Sequence, residues 1–106
     1  IMKDYSSRNT LEGNLIKIEN LYKSIFTEVG NTSIELSDTT VSIHHEDSKN
    51  IDAASLELSE KEVGYTISYW DGYSLAEKID EKEIQQALKI FKRLAKKLAK
   101  NLQRFS

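Results

Sequence analysis

The end of the chain carries its strongest pattern, an amphipathic stretch from residue 80 to residue 105. Apolar residues recur there at three- and four-residue spacing, and lysines and arginines fill the opposite positions. This periodicity predicts one helix with an apolar stripe and a basic face. Asp80 and Glu83 have the spacing of a capping box, which would begin the helix. The rest of the chain must cover the stripe, which comprises Ile84, Ala87, Leu88, Phe91, Leu94, Ala95, Leu98, Leu102 and Phe105.

A second helical pattern spans residues 9–29. Asn9, followed by Glu12, would cap its start, and Gly30 with Asn31 would end it in a left-handed turn. Ile16 falls outside the apolar face. That face is formed by Leu11, Leu15, Ile18, Leu21, Tyr22, Ile25, Phe26 and Val29.

Between these two patterns the apolar residues alternate, which predicts β-strands. We expect strands at residues 32–36, 40–45, 54–58 and 62–70. Residues 73–79 fit either a fifth strand or the approach to the last helix. Residues 59–62 are expected to form a charged turn, and Asp71 with Gly72 predicts a two-residue type I′ hairpin.

Each strand has one apolar face and one face of serine, threonine and acidic residues. The pattern predicts an α+β fold, in which an antiparallel sheet of four to five strands is flanked in sequence by an N-terminal and a C-terminal helix, both packed on one face. The whole chain, 1–106, is expected to be one domain, with 1–8 disordered, a helix over 9–29, a β-meander over 32–79 and a helix over 80–105. Val63, Tyr65, Ile67, Tyr69, Leu88 and Phe91 are expected to face the core, and Glu57, Thr66 and Ser68 to be exposed.

The composition limits the possible chemistry. No cysteine is present, which excludes disulfides, zinc–thiolate sites and thiol catalysis. No stretch reaches the roughly 20 apolar residues needed to span a bilayer, and none resembles a signal peptide, so we expect a cytoplasmic protein that does not bind a membrane. No catalytic motif appears, so we expect neither enzymatic activity nor a cofactor.

The only histidines, His44 and His45, are followed by Glu46 and Asp47. Alternate strand residues share a face, which groups His44 with Glu46 and His45 with Asp47. Neither pair has an evident third ligand, so we expect no metal site.

The charge is unevenly distributed along the chain. Residues 84–106 carry seven cations and no anion, and since the net charge is −2, residues 1–83 carry −9. An acidic body favours a basic protein partner over nucleic acid. Trp70 and Tyr73, which flank the predicted hairpin, are candidate anchors for such a partner. The candidate partner-binding residues are Glu35, Asp38, Glu46, Asp47, Asp52, Glu57, Glu60, Glu62, Trp70, Asp71 and Tyr73.

The basic face of the last helix supports an alternative, a small nucleic-acid-associated regulator. It lacks the interleaved aromatic residues typical of proteins that bind single strands. The residues that would contact phosphates are Lys89, Lys92, Arg93, Lys96, Lys97 and Lys100.

In size, charge and architecture the whole chain resembles bacterial immunity proteins and antitoxins. The resemblance implies a non-catalytic protein that neutralises a toxin domain, most concretely a nuclease, by stoichiometric binding. Nucleases bind polyanions and present basic clefts, which an acidic surface can occupy.

Overall fold

The computed structural model describes residues 10–46, 54–72 and 74–104. A short 3₁₀ helix, Glu12–Asn14, leads into helix α1, Leu15–Ile25. Five strands follow: β1 Thr32–Leu36, β2 Thr40–His45, β3 Ser55–Lys61, β4 Gly64–Trp70 and β5 Leu75–Glu81. Helix α2, Ile84–Arg104, closes the described chain. The predicted disorder of residues 1–8 lies outside the described residues.

The strands form one antiparallel sheet in the order β1-β2-β3-β4-β5. Helix α2 contacts β3, β4 and β5, whereas α1 contacts α2 and β1. Both helices lie on the same face of the sheet. Tyr22 of α1 hydrogen-bonds Thr32 of β1, and Asn101 of α2 hydrogen-bonds Tyr69 of β4. The register places Thr32 and Tyr69 on the same side of the sheet. This two-layer α+β arrangement confirms the predicted fold class.

The core lies between the sheet and the apolar stripe of α2. Tyr65, Ile67, Leu88 and Phe91 are buried, as predicted. Ile16 is 76% exposed, in agreement with its place outside the stripe of α1. The largest fully buried side chains among the described residues are Leu11, Ile18, Val41, Ile43, Leu56, Leu58, Ile67, Tyr69, Phe91, Leu94 and Leu98.

The predicted start of the last helix is wrong. Asp80 belongs to β5, where its carboxylate accepts a hydrogen bond of 2.7 Å from the Thr66 hydroxyl across the strands. The helix begins at Ile84, and the Glu83 carbonyl accepts the N–H of Ala87. Pairing with β4 therefore overrides the capping signal and extends the fifth strand to Glu81.

The predicted bounds of the first helix are too wide. The hydroxyl of Thr10 accepts the N–H of Gly13, and a 3₁₀ turn precedes the α-helix. Asn9 lies outside the described residues. The α-helix ends at Ile25, and only Asn31, at φ 58°, adopts the left-handed conformation that was also predicted for Gly30.

The two tight turns also differ from prediction. Strand β3 continues to Lys61, so Ser59 is a strand residue, and the turn consists of Glu62 and Val63 before Gly64 at φ 103°. Val63 is consequently 84% exposed instead of facing the core. At the β4–β5 turn, Gly72 has a positive φ of 101° but Asp71 does not. A type I′ hairpin would need two connecting residues with positive φ, whereas four residues connect β4 to β5.

Candidate partner-binding surface

One face of the sheet is covered by no element of the described chain. Both helices pack on the opposite face, so the residues between the inward-facing ones point away from the core. We call this surface the open face. It consists of Ser33, Glu35, Thr40, Ser42, His44, Ser55, Glu57, Ser59, Thr66, Ser68, Trp70, Lys78 and Asp80.

Glu57 lies on the central strand of the open face. Its carboxylate accepts a hydrogen bond of 3.1 Å from the Ser59 hydroxyl, and a longer one of 3.5 Å from Ser42. The two serines are buried beneath it, whereas Glu57 itself is exposed, as predicted. The hydroxyls thus hold the carboxylate over the sheet with free acceptor capacity toward solvent.

The carboxylates of the open face cluster in two neighbouring rows of cross-strand pairs. One row joins Glu35, through Ser42, to Glu57, and ends at Lys78 on β5. The next row ends at Asp80, which accepts from Thr66. Three carboxylates therefore face one lysine in this part of the sheet. Thr66 and Ser68 are half-buried here, not exposed as predicted, because neighbouring side chains shield their short groups.

A third row supplies the aromatic part of the open face. His44 and Trp70 both pair with Ser55, from opposite sides of β3, and both are half-buried. Trp70 also pairs with Leu75, which is 51% exposed. An aromatic side chain beside an exposed leucine can anchor a protein partner when both become buried on binding.

No group of three or more metal-binding side chains occurs within residues 10–46, 54–72 and 74–104. His45 is paired with Thr32 on the helix-covered face, so the two histidines point to opposite sides of the sheet.

One end of the molecule is strongly acidic. The register brings the β1–β2 turn, the β3–β4 turn and the β5–α2 connection together there. The segment before α1 also reaches this end, because the Glu60 carboxylate accepts the Leu11 N–H at 2.9 Å. Burial, together with the neighbouring Glu60 carboxylate, raises the pKa of Tyr65. We call the region formed by these two turns and the β5–α2 connection the acidic end. It also contains two lysines, Lys61 and Lys82. Its carboxylates belong to Glu12, Asp38, Glu60, Glu62, Glu81 and Glu83.

The structure spreads the predicted acidic residues over several places. Glu35 and Glu57 lie on the open face, and Asp38, Glu60 and Glu62 lie at the acidic end. Of these, Glu60 faces the helix layer. Glu46 follows β2 and Asp71 follows β4. Both lie at the end of the sheet away from the acidic end, so they belong to neither cluster. Asp47, Asp52 and Tyr73 lie outside the described residues.

Sequence reasoning missed several members of these surfaces. The capping-box spacing places Asp80 at a helix cap, and the predicted helix over 80–105 includes Glu81 and Glu83 in its first turn. Alternation across residues 75–81 is the signal that could have placed Asp80 on the polar face of a fifth strand. The sequence pattern predicts only a capping role for Glu12.

The basic face of α2 divides into two stripes. Arg93 and Lys97 each donate to the Glu77 carboxylate at 3.2 Å, and these hydrogen bonds lower the pKa of Glu77. The second stripe is exposed and forms no ion pair with any described residue. It consists of Lys89, Lys92, Lys96 and Lys100.

Comparison of the chain with protein-family models, with curated proteins and with solved structures finds no match. None of the helices among the described residues combines the length and apolar character needed to cross a bilayer. The function of the chain is therefore inferred from its own surfaces.

Proposed function

We propose that this chain is a non-catalytic binding protein that uses its open face to hold a basic protein partner. The observation that carries the proposal is the exposed Glu57 carboxylate, held by two serine hydroxyls at the centre of a sheet face that no described element covers. A sheet face of this kind is solvated or is covered by a partner. The flanking Glu35 and Asp80 favour a partner that carries lysines or arginines.

The acidic end extends this surface toward the turns. Asp80 lies in the row nearest that end, since its pairing with Thr66 is next to the pairing of Tyr65 with Glu81. Six carboxylates against two lysines produce a local negative potential. Such a potential accelerates the encounter with a basic partner and orients it toward the open face.

Trp70 and Leu75 supply the apolar component. Complementary charges on two surfaces attract over a distance and so raise the association rate, whereas aromatic residues that become buried on binding mainly slow dissociation. An acidic field in two rows and an aromatic anchor in the third are the combination that a tight inhibitor of a basic domain requires. The most concrete form of the proposal is an immunity protein that blocks a toxin domain, most simply a nuclease, whose cleft binds polyanions.

The decisive experiment is coexpression of this chain with the candidate toxin, the protein encoded by the neighbouring reading frame. The host is a strain that the candidate toxin kills when it is expressed alone. The wild-type chain should restore growth and form a one-to-one complex by calorimetry. Glu57→Lys combined with Asp80→Lys should abolish both effects. Glu28→Lys is the control, since Glu28 is exposed in the connection between α1 and β1 and lies outside both acidic surfaces.

Three outcomes contradict the proposal. A neighbouring frame that encodes no toxic protein, or a toxic protein that the wild-type chain neither binds nor neutralises, overturns the immunity function. Full rescue by the folded Glu57→Lys/Asp80→Lys variant shows that the open face is not the binding surface. Circular dichroism and thermal melts establish beforehand that each variant is folded.

A further inference from the structure

A groove lies between α1 and α2, in the layer opposite to the open face. Its volume is about 410 Å³. Apolar side chains of Ile18, Leu21 and Leu88 line it, and Leu21 is only half-buried. Among the described residues that line the groove there is no carboxylate, and three are lysines, Lys17, Lys89 and Lys92. The groove is therefore apolar at its base and cationic at its rim.

The cationic rim continues along α2 beyond the groove. Lys89, Lys92, Lys96 and Lys100 recur at three- and four-residue spacing, so they share one side of the helix over about 16 Å. They are exposed and unpaired within the described chain, in contrast to Arg93 and Lys97, which Glu77 engages. Charge complementarity therefore calls for an anionic occupant.

We propose that this groove binds an acidic amphipathic helix of a partner protein. A helix laid along α2 places apolar residues into the groove and carries glutamates at the same three- and four-residue spacing as the lysines. A nucleic-acid duplex offers no apolar surface to cover the half-buried Leu21. A small anionic amphiphile would match the volume but would engage only the lysines at the groove itself.

The proposal is independent of the open face, since the two surfaces belong to opposite layers. Their variants should act separately. Lys89→Glu with Lys92→Glu reverses the charge of two lysines at the groove rim. Lys61→Glu with Lys78→Glu is the matched control, because it changes the net charge by the same amount in the sheet layer. All four lysines are exposed. None forms an ion pair with a described residue, so we expect these substitutions to leave the fold intact, and thermal melts should check this.

The probe is a synthetic helical peptide of about 16 residues with leucines on one face and glutamates beside them. Calorimetry should show binding that the groove variant weakens at least tenfold and the sheet variant changes less than twofold. Amide chemical shifts should change at α1 and α2. A peptide with serine replacing leucine should bind at least tenfold more weakly, because the apolar contact is lost.

The proposal is overturned by no binding of the leucine–glutamate peptide, by equal binding of the serine peptide, by equal loss in the sheet variant, or by shift changes confined to the sheet. A short DNA duplex that displaces the peptide and depends on the same lysines would make nucleic acid the occupant. Dodecanoate that binds alone and displaces the peptide would make a small amphiphile the occupant. Either displacement rejects the partner helix.

Discussion

The buried hydroxyl of Tyr69 accepts a hydrogen bond of 2.8 Å from the side-chain amide of Asn101, 32 residues later in the chain. Lys97, one turn before Asn101, places its ammonium group 5.5 Å from the centre of the Tyr69 ring. The last turns of α2 are therefore joined to β4 by polar contacts as well as by the core. These contacts hold α2 on the face of the sheet opposite to the open face.

The Tyr69–Asn101 pair leads to a first prediction. Asn101→Ala should lower the free energy of unfolding by about 1–3 kcal/mol, because it leaves a buried hydroxyl without its amide donor. Tyr69→Phe should cost about 1 kcal/mol. In a double-mutant cycle, Asn101→Ala should cost much less in the Tyr69→Phe background. Strictly additive losses in urea melts would mean that the two groups do not interact in solution.

The β3–β4 turn gives a second prediction. Gly64 has φ 103°, and a Cβ there would lie 2.5 Å from the carbonyl oxygen of Glu81. Gly64→Ala should destabilise the protein by about 1–3 kcal/mol, because alanine is strained at this φ and the contact is with backbone of β5. Gly30→Ala is the matched control, since a Cβ at Gly30 meets no atom within 4 Å and its φ is not positive.

Thermal melts of both alanine variants provide the measurement. Gly30→Ala should be neutral or slightly stabilising. Equal melting temperatures for the two variants would contradict the close approach of the β3–β4 turn to the end of β5.

The core of α2 gives a third prediction. Phe91 is fully buried, so Phe91→Ala should cost about 3–5 kcal/mol through lost burial and the cavity left behind. Ile16→Ala removes an exposed side chain from α1 and should change stability by less than about 0.5 kcal/mol. A loss below 1 kcal/mol for Phe91→Ala in denaturant melts would mean that α2 is not part of the core.

Glu77 gives a fourth prediction, on pH dependence. Its hydrogen bonds with Arg93 and Lys97 hold the pKa below the ordinary value of 4.5. A folded-state pKa that is lowered stabilises the fold fully above the unfolded-state value, and this contribution is lost as the pH falls through the folded-state value. Arg93 and Lys97 are about half exposed, so Glu77→Gln should cost only up to about 1 kcal/mol at pH 7.

The cost of Glu77→Gln should begin to shrink as the pH falls below the ordinary value of 4.5, where the unfolded-state carboxyl takes up a proton. It should be lost as the pH falls through the lower folded-state pKa, where the native carboxyl also becomes neutral. Urea melts over this range provide the measurement. Glu35→Gln is the control, because Glu35 is an exposed carboxylate that forms no ion pair within the described chain. A cost for Glu77→Gln that does not change with pH would show that the ion pairs are not its source.

The layers of the fold could be predicted from the sequence because each depends on one periodicity. Leu88 and Phe91 share a helical stripe, and Tyr65 and Ile67 alternate with polar residues, so their burial follows from the spacing alone. The acidic surfaces could not be predicted in the same way, since they depend on strand register. Thr66 and Asp80 meet only because β4 and β5 pair, and the local sequence of Asp80 equally fits a helix cap.

Glu60 shows that sequence spacing can also predict a solvent-facing position for a residue that the structure turns toward the helix layer. Its charge and its position near a predicted turn favoured a solvent-facing partner residue, but strand β3 continues through it. The alternation therefore turns Glu60 toward the helix layer, where it binds the Leu11 N–H. A charged residue at the end of a strand can satisfy an unpaired backbone donor of another element, and no local pattern identifies that donor.

The last prediction separates the two components of the proposed interface by their kinetics. Glu57→Lys should lower the association rate with the basic partner and reduce its salt dependence, because Glu57 contributes to the acidic field of the open face. Trp70→Ala should leave the association rate nearly unchanged and accelerate dissociation, with a loss of about 2 kcal/mol or more in binding. Glu28→Lys should change neither rate, and thermal melts should confirm that all three variants are folded. Surface plasmon resonance at two salt concentrations measures both rates, and an unchanged dissociation rate for Trp70→Ala would remove Trp70 from the interface.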